Sequence, residues 1–169
     1  VEEKLCQEFW ETMCGGMKTG AASGLHDYFP KLKASLKALD LTSAYWSWSA
    51  SSSYIHVLLC GARGFGQIQF TMKGITPRDK TWNHTIHLSV LPWSEVTGFT
   101  QNFIREGPSR REDELVLRTA ELCLRSVDPI SLLPAQDMDN SGGVRVVENK
   151  VEPFTDLTVF IGAVIAAQH

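Results

Sequence analysis

From Tyr45 to Val90 the chain keeps returning to a period of two. Trp46 and Trp48 alternate with Tyr45, Ser47 and Ser49. Ile55, Val57 and Leu59 then alternate with Tyr54, His56, Leu58 and Cys60. Ile68, Phe70 and Met72 alternate with Gln67, Gln69, Thr71 and Lys73. Trp82, His84, Ile86, Leu88 and Val90 alternate with Asn83, Thr85, His87 and Ser89. A helix repeats about every 3.6 residues and a strand every two, so these segments are predicted strands. Short loops join them, which predicts an antiparallel meander of three to five strands. One side is apolar and the other polar, the pattern of a sheet covered on one face only.

The flanks supply the cover. Leu5, Phe9, Trp10 and Met13 recur at helical spacing, and Gly15 and Gly16 end the run. A second helix follows near Pro30, with Leu32, Leu36 and Leu39 on one face and Lys31, Lys33 and Lys37 largely off it. Glu95 to Ile104 reads as a short helix. Ser109 to Val127 reads as a longer one, with Ser109 as N-cap and Glu112, Asp113 and Glu114 in its first turn. Val144, Val146 and Val147 suggest a short strand. Leu157 to Ala166 is apolar on both faces and rich in β-branched residues, which suits a doubly covered strand, with a buried terminal helix as the alternative. The prediction is a single α+β domain over residues 1–169, its sheet packed on one face by N-terminal and C-terminal-half helices.

The glycines between the second and third alternations invite a nucleotide-binding reading. Gly61-Ala62-Arg63-Gly64-Phe65-Gly66 has the order G-x-x-G-x-G, and a strand pattern follows it. A dinucleotide fingerprint needs G-x-G-x-x-G with a helix after it, whose N-terminus holds the pyrophosphate. The stretch is therefore a predicted hairpin turn, with Arg63 and Phe65 at an exposed tip.

Other chemistry is fragmentary. His87-Leu88-Ser89 has the H-x-S form of a two-histidine phosphodiesterase, and His56 falls on the polar face too. The second copy lacks its hydroxyl, since His56-Val57-Leu58 follows. Asp137, Asp139 and Asn140 resemble a calcium loop, but Arg145 brings positive charge to the ninth position. No catalytic set, cofactor or metal is predicted.

Charge and cysteines narrow the partners. Residues 18–80 hold eight Lys/Arg against three Asp, and residues 81–169 hold seven against twelve Asp/Glu. The basic segment could meet nucleic acid or an anionic membrane through Lys31, Lys33, Lys37, Arg63, Lys73, Arg78 and Lys80. No apolar run approaches the roughly 18 residues of a bilayer span. Cys6, Cys14, Cys60 and Cys123 form no CxxC pair, and reduced thiols with an intracellular location are expected. These features favour a non-catalytic protein-interaction, scaffold or self-assembly module, of viral or cellular structural or adaptor type. Its partner would be a protein or a second copy. The predicted contact residues are Arg63 and Phe65 at the tip with Lys33, Lys37, Lys73, Arg78 and Lys80 in the basic segment.

Overall fold

A computed structural model describes residues 3–17, 21–49, 53–74, 82–105, 115–125, 127–134, 138 and 140–168. The architecture is α+β with two antiparallel sheets. Three helices open the chain: α1 (Glu3–Gly16), α2 (Ala21–His26) and α3 (Phe29–Leu39). The meander follows as β1 (Leu41–Ser49), β2 (Tyr54–Gly61), β3 (Gly64–Gly74) and β4 (Trp82–Pro92). A single 3₁₀ turn, Trp93–Glu95, leads to β5 (Val96–Arg105), β6 (Leu115–Leu124) and β7 (Ile130–Ser131). The chain then returns as β8 (Asn140–Val147) and β9 (Lys150–Phe154) and ends in α4 (Leu157–Ala167).

The large sheet has six strands in the order β4-β3-β2-β1-β8-β9, so the meander gains a second hairpin beside β1. One face carries α1, α2 and α3. Phe9, Trp10, Met13, Leu25 and Leu36 from the helices meet Ile55, Val57, Ile68 and Phe70 from the strands in one buried cluster. This is the apolar side read from the alternation. The α3 helix ends at Asp40, whose left-handed backbone (φ 55°) closes the last turn and feeds β1.

The opposite face departs from the prediction of a bare polar surface. Part of it is covered by the three-stranded sheet, ordered β5-β6-β7, and by α4. Tyr45, Leu58, Cys60 and Phe65 of the large sheet pack there with Ala120, Leu122, Leu132, Phe160, Ile161 and Val164. The Trp93 indole N–H donates to the Gly61 carbonyl at 3.0 Å and ties the corner between the sheets.

Three segments correct the sequence reading. Glu95–Ile104 is not a helix but mostly β5, and the described part of Ser109–Val127 contains β6 instead of a helix. Ala120 and Leu122 are buried at a spacing of two, while Val116 and Thr119 oppose Ile104 and Asn102. Pairing with β5 thus overrides the helical propensity of Leu115, Leu117 and Glu121. The expected cap at Ser109 and its acidic turn lie outside the described residues. Leu157–Ala166 is the helical alternative, not the strand. Asp156 caps it, accepting from the Thr158 N–H at 2.9 Å, and that bond holds its carboxyl below the usual range.

Candidate functional site

Cross-strand pairing places the polar side chains of the outer face in register. Ser47 pairs with His56, His56 with Gln69, and Gln69 with His87, so the four form one row across β1, β2, β3 and β4. Gln67 and Ser89 pair one step further along. The row runs from buried Ser47 on β1 to exposed His87 on β4. A cleft of about 870 Å³ forms above it, with Tyr54, His56, Gln67, Gln69 and Ser89 on its floor. Its other wall is Arg118 and Thr119 of β6 with Asp128 to Ser131, Leu133 and Pro134.

The floor is knitted together. The His56 ring nitrogen Nε2 lies 3.1 Å from Gln67 Oε1, an acceptor only, which places the proton on that nitrogen. Tyr54 stacks on His56 with ring centroids 6.3 Å apart and bonds Gln69. Burial pushes His56 below its ordinary pKa, and the bond to Gln67 offsets part of that shift. Burial likewise raises Tyr54. The floor is therefore uncharged near neutral pH, and rich in amides and hydroxyls.

The histidines do not form a catalytic couple. His87 bonds Ser89 Oγ at 3.2 Å, as the H-x-S spacing implies. Gln69 separates it from His56 in the row, so their backbones stand two strand spacings apart, about 10 Å. Among the described residues no group of three His, Cys, Asp or Glu could hold a metal ion. The calcium-like loop lies partly outside those residues. All four cysteines are free, and burial raises Cys14 to about 12 and Cys60 to about 11, which makes them poor nucleophiles.

The predicted contact residues scatter. Arg63 is exposed, but Phe65 is fully buried under Trp93, which corrects the two-residue tip. The turn does not project. Arg63 N–H donates to Leu39 O, and a Cβ on Gly61 would lie 2.0 Å from that oxygen, so glycine is required for the close approach. Lys33 and Lys37 both pair with Glu3 of α1, the second at 3.8 Å. The Lys73 side chain, Arg78 and Lys80 lie outside the described residues.

A second surface escaped the sequence reading. The α4 helix has no charged residue, yet Thr158, Gly162, Ile165 and Ala166 are exposed. A groove of about 600 Å³ runs beside it, lined by Val159, Gly162 and Ala163 and by Arg145 to Val147 of β8. At the far end of the β5–β6 ribbon, Phe103, Leu115 and Val116 are also exposed, by 53%, 44% and 51%. The signal for α4 was present in Asp156, a capping residue directly before an apolar run. The signal for the cleft was the set of amides and His56 on the polar face. Its second wall was hidden because β6 read as a helix.

No family model matches the chain, and no curated protein or solved structure matches it either.

Proposed function

We propose that this chain is a non-catalytic protein-interaction or self-assembly module, and that α4 is its main contact. One observation carries the reading: α4 has a single hydroxyl, Thr158, among apolar residues, yet it is covered on one side only. A helix of that composition belongs inside a core. The fold buries Phe160, Ile161 and Val164 and leaves the face with Gly162, Ile165 and Ala166 to water. A second protein surface laid along it would complete the burial, and the adjoining groove gives that surface a seat. The exposed end of the β5–β6 ribbon supports the same class of function.

The alternatives have less behind them. Lys33 and Lys37 are engaged by Glu3, which weakens a basic patch for nucleic acid or anionic membrane. Among the described residues no helix is long and apolar enough to cross a membrane. A phosphodiesterase would need a second hydroxyl-paired histidine, and His56 is held by an amide.

The test is Ile165→Asp. Ile165 is exposed by 37%, so a charge there leaves the fold intact. The parent chain is expected to associate with itself in light scattering as concentration rises, and the variant to stay monomeric with an unchanged circular dichroism spectrum. A parent that remains monomeric, with a variant that retains the same protein contacts by cross-linking, would remove α4 from the proposal.

A further inference from the structure

The cleft points to a different function from α4. We infer that it is a binding site for a small organic oxyanion, a carboxylate or phosphate carried on an apolar body. The inference goes beyond the interaction module and uses another surface.

Arg118 is the cleft's cation. Asn102 pairs with Thr119 and Phe103 with Leu117, so Arg118 is the extra residue of a β-bulge in β6. Bulges re-aim a side chain and recur beside binding sites. Here the bulge is pinned from the partner strand, where Asn102 Nδ2 donates to Thr119 Oγ1 at 2.7 Å. Arg118 lines the cleft, and among the described residues no carboxylate pairs with it. Asp128 lines the same cleft without forming an ion pair to it, and Asp128 is exposed. A guanidinium in this setting suits a carboxylate or phosphate, either of which it binds through two parallel hydrogen bonds.

The rest of the lining fits the remainder of such a ligand. Gln67 accepts from His56 through its oxygen, and its NH₂ carries donors as well. Tyr54, Gln69 and Ser89 add hydroxyl and amide groups along the floor. The apolar part of the lining includes Leu91, Leu124, Ile130, Leu133, Pro134 and Met138. The volume falls within the ~300–1,000 Å³ of small-ligand sites.

The experiment titrates the intact chain with a defined panel: decanoate, benzoate, acetate, phenyl phosphate, and the uncharged decanol and benzamide. The readouts are the side-chain amide resonances of Gln67 and Gln69 and the His56 ring resonances. Decanoate or benzoate is expected to shift them, acetate far more weakly, and the uncharged counterparts not at all. A preference for phenyl phosphate over benzoate assigns a phosphate ligand, and the reverse a carboxylate. Arg118→Gln is expected to weaken binding about tenfold or more, with Arg118→Lys between the two. Arg118 is exposed, so both variants keep the fold. Ile165→Asp is expected to leave binding unchanged, which separates this result from the α4 test. The inference is overturned if no anion moves these resonances, if benzamide and decanol bind as well as their acids, or if Arg118→Gln binds like the parent.

Discussion

Helices α1 and α4 lie on opposite faces of the same six-stranded sheet and treat their outer sides differently. The α1 helix buries Cys6, Phe9, Trp10, Met13 and Cys14 and turns Glu3, Lys4, Gln7, Glu8 and Glu11 to water. Gln7 and Glu11 bond across one turn at 3.1 Å, and Glu3 reaches Lys33 and Lys37 of α3. That face is finished by its own sequence. The α4 helix buries three residues and turns glycine, alanine and isoleucine outward. The two helices bury their inner residues equally well, so burial alone does not separate them. The chemistry of the outer side does.

The largest effect tests the finished side. Phe70 is fully buried, with Tyr28 at 5.9 Å and His84 at 5.5 Å between ring centroids. Phe70→Ala is expected to cost about 3–5 kcal/mol, the range for a large aromatic removed from a packed core. Urea unfolding followed by tryptophan fluorescence measures it. A cost below about 1 kcal/mol would show that the α1–α3 side is not the tightly packed one, and the comparison would fail.

Next come two glycines with opposite signs. At Gly61 a Cβ would strike the Leu39 carbonyl carbon and oxygen, at 2.7 and 2.0 Å. Both atoms are backbone and cannot swing aside, so Gly61→Ala is expected to destabilise by about 1–3 kcal/mol. At Gly162 a Cβ would meet nothing within 4 Å. Gly162→Ala is therefore expected to stabilise the isolated chain by about 0.5–1 kcal/mol through lost backbone freedom in the unfolded state. Thermal melts at low protein concentration compare the two. Equal signs would mean that the open side of α4 is covered within the chain itself.

The legible part of this fold was the part with a clean period. β2, β3 and β4 follow the alternation, and α1 and α3 follow their apolar stripes. The errors share a physical cause. Leu115–Leu124 mixes good helix formers with Val116 and Thr119, and only the partner strand β5 decides between them. Leu157–Ala167 is apolar on every side, so it carries no period, and the Asp156 cap decides it. Half of the candidate cleft, the amides and His56 of the polar face, could be read from the alternation. The other half could not, since Arg118 reaches it through a bulge, and a bulge breaks the very period that sequence reading depends on.

The mildest test combines a pH change with one substitution, and it asks whether the open face is as dry at its floor as the geometry implies. His56 lies under Tyr54 and beside Gln67, with Arg118 and Asp128 on the facing wall. Burial holds its folded pKa below the ordinary value of about 6.5. At pH 7.5 the ring is neutral in both states and contributes no pH dependence. As pH falls through about 6.5 the unfolded chain takes up a proton that the folded chain resists, so the unfolded state is favoured. Stability is therefore expected to fall from neutral pH toward the lowered folded pKa, and to lose no more from this group below it. His56→Gln keeps a donor for Gln67 and removes the titration. Urea midpoints at pH 7.5 and 5.5 should differ more for the parent than for the variant. Identical differences would place His56 in bulk-like water, and the floor of the cleft would then resemble the solvated outer side of α1 rather than a desolvated site.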